Sequence, residues 1–152
     1  LQETKVHDDD FPYEIPESLG YKAHIHGQKG HYGVAILTKE EPVSVNKGFE
    51  TDDDEAQKRF ISVTLKKGRK KIHILNGYFP QGEERNHPIK FPYKVKFYQD
   101  LMVHIKKNYD PKDHLMVMGD LNISPEDIDI GIGEENKAVT MVATYTFEKK
   151  LL

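Results

Sequence analysis

Short strand-like segments around one helical segment constrain the fold of this 152-residue chain more than any other feature. Their apolar residues either alternate with polar ones or run together, as in half-buried and buried strands. The predicted strands are residues 21–26, 33–37, 43–45, 60–65, 71–78 and 115–118. Apolar residues from Val95 to Ile105 recur at helical spacing, with Pro92 near the start. Strands mixed with a helix, without a repeat or a linker, predict one α/β domain.

Composition narrows the class of protein. The chain contains no Cys, which excludes disulfide scaffolds, thiolate zinc sites and cysteine nucleophiles. No apolar run approaches the roughly 18 residues that a membrane span needs, so we expect no membrane partner. The net charge is −3, so a nucleic-acid partner would have to meet a local basic surface. A cysteine-free chain is compatible with a reducing cytoplasm, which is the expected location.

The sharpest local signal for chemistry follows the last predicted strand, which stops at Gly119. Asp120 and Asn122 lie two residues apart, and such side chains point to the same side of an extended chain. Strand ends in α/β sheets usually open on a site. Asp120 can orient or deprotonate a water, whereas Asn122 can donate to an oxyanion and offer a carbonyl to a cation. The alternative is an ordinary turn, in which Asp and Asn are common.

Two further side chains are candidates for the same chemistry. Glu3 supplies another oxygen ligand, and Mg²⁺ needs only one or two protein carboxylates besides water and phosphate. Tyr78 ends a predicted strand, where its hydroxyl could hydrogen-bond a phosphoryl oxygen or act as a phenolate beside a cation. A surface acid and a half-buried core tyrosine are the respective alternatives.

Several motifs occur together in an order that resembles one enzyme family. They are Gln-Glu-Thr-Lys at 2–5, Gly-His-Tyr-Gly-Val at 30–34, Asn-Gly-Tyr-Phe-Pro-Gln-Gly at 76–82 and Gly-Asp-Leu-Asn-Ile-Ser-Pro at 119–125. Residues 83–92 and 127–136 add two longer stretches. The chain resembles the exonuclease III family of apurinic/apyrimidinic endonucleases, and most closely its bacterial exonuclease III branch. The resemblance covers residues 1–136, interpreted as a partial nuclease domain.

The resemblance implies a fold, a reaction and its requirements. The fold is a four-layer α/β sandwich of two mixed sheets with helices outside, incomplete at both ends in this chain. The reaction is metal-dependent phosphodiester hydrolysis on duplex DNA during base excision repair, with Mg²⁺ as the cofactor and Mn²⁺ as an alternative. Its forms are incision at abasic sites, 3′-to-5′ exonuclease activity and 3′-end cleaning. The complete enzyme is expected to be a monomer.

The resemblance also assigns residues. Glu3 matches the metal-binding glutamate, and Tyr78 matches the catalytic tyrosine. Asp120 matches the aspartate that activates water, and Asn122 the asparagine that stabilises the transition state; both also lie close to the metal.

Candidate DNA contacts are assigned separately. His31 matches a DNA-facing aromatic position, and Arg59 matches an arginine that contacts the DNA backbone. Lys90 lies beside the long loop that follows Tyr78, and phosphate contacts of this kind dominate nonspecific DNA affinity. The five basic residues between 66 and 71 are interpreted as a solvated hairpin tip.

The sequence departs from the family pattern at both ends. The family's opening strand with a site asparagine, two later aspartates and the catalytic histidine have no counterpart here. After Asn136 the pattern breaks, and residues 137–152 alternate like a strand. The hypothesis is a divergent tail read out of frame, with impaired hydrolysis and low stability. The alternatives are an inactive fragment with weak DNA binding, or another phosphoesterase of the same fold, such as an inositol-phosphate phosphatase or a sphingomyelinase.

Overall fold

A computed structural model describes residues 1–83 and 86–123, so the family-like stretch at 127–136 and the predicted tail at 137–152 lie outside the described residues. A 3₁₀ turn at Asp8–Asp10 precedes the first helix. The helices and strands follow as α1 (Glu14–Ser18), β1 (Lys22–His26), β2 (Val34–Thr38), β3 (Ser44–Lys47), β4 (Phe60–Lys67), β5 (Lys70–Tyr78), α2 (Lys90–Asn108) and β6 (His114–Asp120). The six predicted strands and the long helix are confirmed, whereas α1 carried no sequence signal that predicted it.

The chain divides into two compact units. The sheet unit comprises Leu1–Tyr78 and His104–Asp120, and the helix unit comprises Phe79–Val103 and Leu121–Leu152. The strands that the structure describes, β1 to β6, belong to the sheet unit. No helix in the described part of the chain is long and apolar enough to cross a membrane.

The strands of the sheet unit form two sheets. β1 and β2 pair antiparallel, whereas the second sheet has the order β3-β4-β5-β6. β3, β4 and β5 pair antiparallel through hairpin-like connections, and β5 pairs with β6 in parallel. The four-stranded sheet is therefore mixed, as expected of an α/β domain. Its parallel pair places the carboxyl ends of β5 and β6 side by side.

The core lies where the two sheets face each other. Val34 and Ile36 of β2 pack against Ile61 and Val63 of β4, and all four are buried. Alternation along a strand puts Phe60 on the other face of β4. Burial of each such side chain stabilises the fold by about 1.5–3 kcal/mol, so the alternating pattern fixes which face is inside.

The outer face of β4 is covered by the end of α2. Phe60 stacks on Phe49 with ring centroids 4.3 Å apart, and His104 meets the Phe60 ring edge-on at 5.1 Å. His104 is itself buried. The sheet unit thus has a helix layer outside two facing sheets, which is part of the predicted sandwich.

β6 differs from its sequence prediction. The run of apolar residues predicted a buried strand, but Met116, Val117 and Met118 are 50%, 39% and 40% exposed. Among the described strands β6 is the last in its sheet and pairs only with β5. An edge strand buries fewer side chains than a central one, which periodicity alone does not distinguish.

Gly119 has no room for a side chain beside the main chain of β5. Gly119 is the register partner of Gly77, and the next pair along the two strands is Tyr78 with Asp120. A Cβ atom at Gly119 would lie 1.9 Å from the Gly77 carbonyl oxygen, and the φ angle of Gly119 is +135°. Only glycine fits this position, for steric and conformational reasons alike.

Replacing Gly119 by Ala tests this close approach. We expect Gly119→Ala to lower the free energy of unfolding by ~2 kcal/mol or more, because backbone strain and a clash act together. Gly68→Ala is the matched control, since Gly68 also has a positive φ but open space around its Cβ position; we expect a loss of about 1 kcal/mol. Urea unfolding measures both, and equal losses would contradict the steric argument.

His26 makes the stability of the sheet unit depend on pH. Burial, followed by the charge of Lys58, lowers the pKa of His26 to about 4, whereas the unfolded value is about 6.5. The unfolded chain therefore binds more protons between these values, and stability falls as the pH drops from 6.5 to 4. We expect His26→Gln to flatten this dependence of the urea midpoint. The control is His7→Gln, at an exposed histidine, which should leave the pH dependence of the urea midpoint as in the wild type.

Candidate active site

The carboxamide of Asn76 docks the first residues of the chain onto the sheet. Asn76 is only 1% exposed, and its Nδ2 donates to the carbonyls of Leu1 (3.0 Å) and Ala35 (3.1 Å). Its Oδ1 accepts a hydrogen bond from Gln2 Nε2 at 2.5 Å. Gln2 also forms a β-bridge with Val34. The segment that carries Glu3 is therefore held on β2 and β5.

The backbone turns at Glu3 and is held by the turn that precedes β2. Glu3 has a φ of +55°. The amides of Thr4 and Lys5 donate to the carbonyls of Gly33 (3.1 Å) and Tyr32 (3.0 Å). These bonds fix the position from which the Glu3 side chain projects.

The Glu3 carboxylate has two partners. Lys5 Nζ lies 2.6 Å from it, and the Tyr78 hydroxyl hydrogen-bonds to it. These contacts, with Lys5 the stronger cause, lower the pKa of Glu3. The side chain is 43% exposed, so the carboxylate is ionised at neutral pH and open to solvent.

Tyr78 and Asp120 stand side by side where β5 and β6 end. They are partners in the parallel register, so their side chains leave the same face of the sheet. Burial first, and then the bond to Glu3, raises the pKa of Tyr78; the charge of Asp120 acts in the same direction. The hydroxyl is therefore protonated at neutral pH and donates to Glu3. The structure thus brings together Glu3, Tyr78 and Asp120.

Arg59 contacts two aromatic rings beside this group. Its guanidinium carbon is 4.1 Å from the ring centroid of Tyr32 and 4.6 Å from that of Tyr78. Arg59 Nη1 donates to the Tyr78 carbonyl at 3.0 Å, and Nε donates to Gln57 Oε1 at 2.6 Å. Arg59 is 8% exposed, whereas His31, another predicted DNA contact, is exposed.

Asn122 belongs to the helix unit and is held by main-chain groups there. Its Nδ2 donates to the Phe79 carbonyl at 2.8 Å, and its own carbonyl accepts from the fully buried Lys94 at 2.8 Å. Its φ is +51°, so the extended geometry that the sequence argument assumed for Asp120 and Asn122 does not hold at this residue. Lys90, the third predicted DNA contact, begins α2, is exposed and pairs with Glu83.

Sequence reasoning missed the residues that support the site. Gln2, Asn76, Tyr32 and Lys94 were not predicted to have roles. Asn76 offered a signal, since a carboxamide at an inward-facing strand position needs buried partners. Lys94 offered none, because a lysine in an amphipathic helix normally faces water.

The oxygen donors of the sheet unit fit a hard cation. Glu3 and Asp120 supply carboxylates, and the negative charge of each raises the pKa of Tyr78. Mg²⁺ usually takes one or two carboxylates with water and substrate phosphate. In residues 1–83 and 86–123, no group of three His, Cys, Asp or Glu side chains is arranged to hold a metal.

Comparison with known proteins shows extensive similarity. Residues 1–148 match the model of the endonuclease/exonuclease/phosphatase family. The chain is 56% identical over 137 residues to exodeoxyribonuclease III from Haemophilus influenzae, which covers 90% of this chain and 51% of that protein. The chain spans about half the length of this relative.

Solved structures confirm the predicted fold. An AP endonuclease from Archaeoglobus fulgidus superposes with a TM-score of 0.84 at 29% identity, covering 99% of this chain and 55% of that one. The 3′ phosphatase NExo from Neisseria, bound to a product DNA hairpin, gives 0.83 at 27% identity, covering 99% and 56%. The two-sheet α/β sandwich is common to all three.

Asn76 provides a test of how the Glu3 segment is held. We expect Asn76→Ala to lower the free energy of unfolding by about 2–4 kcal/mol, because it removes three hydrogen bonds that one buried carboxamide makes. Gln2→Ala removes only one of these bonds and should cost about 1 kcal/mol. Urea unfolding compares them, and a loss in Asn76→Ala no larger than in Gln2→Ala would contradict the role of Asn76.

Proposed function

The chain belongs to the endonuclease/exonuclease/phosphatase family, and from that premise we propose that it hydrolyses phosphodiester bonds of duplex DNA in base excision repair. The proposed reactions are incision at abasic sites and removal of residues and blocking groups from 3′ ends. The observation that carries this proposal is the grouping of Glu3, Tyr78 and Asp120 at the ends of β5 and β6. Similarity to an exodeoxyribonuclease III and to an AP endonuclease supports it.

In the proposed mechanism, Asp120 accepts a proton from the attacking water. A carboxylate at a strand end can orient the water and act as a general base. The neutral hydroxyl of Tyr78 donates to a phosphoryl oxygen as negative charge develops there. The raised pKa of Tyr78 favours this donor role over a phenolate.

Asn122 would stabilise the same charge through its amide. Its Nδ2 donates to the Phe79 carbonyl, and this bond orients the carboxamide. Lys94 fixes the adjacent main chain by donating to the Asn122 carbonyl. A preorganised donor of this kind stabilises a transition state without having to reorganise.

The proposed cofactor is Mg²⁺, with Mn²⁺ as an alternative. Glu3 and Asp120 would hold it, and the bound ion would neutralise charge on the scissile phosphate and the leaving oxygen. Lys5 pairs with the Glu3 carboxylate, and this contact lowers the pKa of Glu3. An ionised carboxylate is the form that binds a hard cation.

The proposed partner is duplex DNA, contacted mainly along its backbone. His31 and Lys90 are exposed and would meet DNA from the sheet unit and the helix unit respectively. Backbone contacts position an enzyme without reading sequence, which suits a substrate defined by damage. We propose a monomeric, cytoplasmic enzyme.

The site residues are tested by conservative substitution in the full chain. Asp120→Asn, Glu3→Gln and Tyr78→Phe should each lower the single-turnover rate on an abasic-site duplex by on the order of 10²–10⁴, with little change in melting temperature. Glu17→Gln, an exposed acid in α1, is the matched control and should cleave like the wild type.

The assay also separates the rival functions. Cleavage that needs Mg²⁺ or Mn²⁺ and stops in EDTA supports the proposal. Full activity of folded Asp120→Asn would overturn the role of Asp120. Turnover of a phosphoinositide but not of DNA would favour the alternative of another phosphoesterase of the same fold. DNA binding without cleavage would favour the alternative of an inactive fragment that only binds DNA.

A further inference from the structure

We propose that Arg59 is a positioning residue for Tyr78 rather than a ligand for the DNA backbone. It holds the ring and the main chain of Tyr78 so that the hydroxyl faces Glu3. This role rests on the proposed hydrolysis, because it acts through the hydroxyl that would donate to the phosphoryl group.

The guanidinium of Arg59 contacts two aromatic rings and donates along its edge. Its central carbon lies 4.1 Å from the Tyr32 ring centroid and 4.6 Å from that of Tyr78, whereas Nε and Nη1 donate to Gln57 and to the Tyr78 carbonyl. The planar guanidinium combines ring stacking with directed hydrogen bonds, which a lysine ammonium cannot do.

The main chains of Arg59 and Tyr78 are also bonded to each other. The Tyr78 amide donates to the Arg59 carbonyl at 2.7 Å, directly beyond the last paired residues of β4 and β5. Tyr78 is therefore held at its amide, its carbonyl and its ring by one residue. The only part of Tyr78 left to reach outward is the phenol end, which bonds to Glu3.

Tyr32 links this stack to the loop that carries Glu3. Its carbonyl accepts from the Lys5 amide at 3.0 Å, and its φ of +60° turns the chain between His31 and Gly33. The turn at Tyr32 thus holds the segment of Glu3 through its main-chain carbonyl and contacts Arg59 through its ring. Arg59 consequently joins the two segments whose side chains meet at the site.

Burial argues against a phosphate contact. Arg59 is 8% exposed, whereas residues that track a DNA backbone present their donors to solvent. Substitution of Arg59 should accordingly change turnover and leave binding intact. If Arg59 bound a DNA phosphate, its substitution would weaken DNA binding and change turnover at saturating DNA little.

The decisive variant is Arg59→Lys, which keeps the charge and loses the planar fork. We expect the single-turnover rate at saturating abasic-site DNA to fall by on the order of 10- to 100-fold, because the reacting group is displaced. For Arg59→Gln, which removes the charge, the Kd should stay within about twofold of the wild type, with an unchanged salt slope. Lys58→Gln, which removes a neighbouring charge, should not change the rate.

A second pair of variants tests the stack without altering Arg59. Tyr32→Leu removes the aromatic face and should also lower the rate, whereas Tyr32→Phe keeps the face and should behave like the wild type. These variants carry the test if Arg59→Lys does not fold.

An NMR measurement makes the proposal independent of activity. The ring signals of Tyr78, assigned by comparison with Tyr78→Phe, should shift in Arg59→Lys and Tyr32→Leu but not in Tyr32→Phe. If the wild type cleaves no DNA, the proposed hydrolysis fails, but these shifts still decide whether Arg59 positions Tyr78. Unshifted signals in both variants, or weaker DNA binding with a salt slope lower by about 0.9, would overturn the proposal.

Discussion

The buried carboxamide of Asn76 is the interaction on which the arrangement of the site depends. A polar group inside the sheet sandwich must find partners, and Asn76 finds them in the first two residues of the chain and in β2. That requirement, rather than apolar packing, places the segment of Glu3 next to β5. The hydrophobic contacts between the two sheets then keep this segment from moving away from Tyr78.

Much of the fold, and the centre of the site, could be predicted from the sequence because local patterns determine them. Alternation predicted the strands, and the motifs placed Tyr78 and Asp120 at strand ends that become neighbours in a parallel pair. The rest depends on contacts between distant residues. The Arg59 stack needs a left-handed backbone at Tyr32, and the burial of Lys94 needs carbonyls from two loops. The exposure of β6 depends on its place in the sheet order.

The charges of the site balance one another before any substrate arrives. Glu3 is ionised and paired with Lys5, and the protonated Tyr78 donates to the same carboxylate. In the proposed function, a phosphate would accept from the Tyr78 hydroxyl, and a cation would take the place of the lysine ammonium. Each group would then exchange one partner for another, so that its desolvation stays small.

The fit of Gly119 against Gly77 sets which residues can pair as well as a conformation. Because a Cβ at Gly119 would meet the Gly77 carbonyl, the register that makes Tyr78 and Asp120 partners requires a glycine one position earlier. A designer who wished to transfer this pair to another parallel sheet would have to transfer the glycine with it. The carboxylate and the phenol alone, with a side chain at the preceding position, would not keep this register.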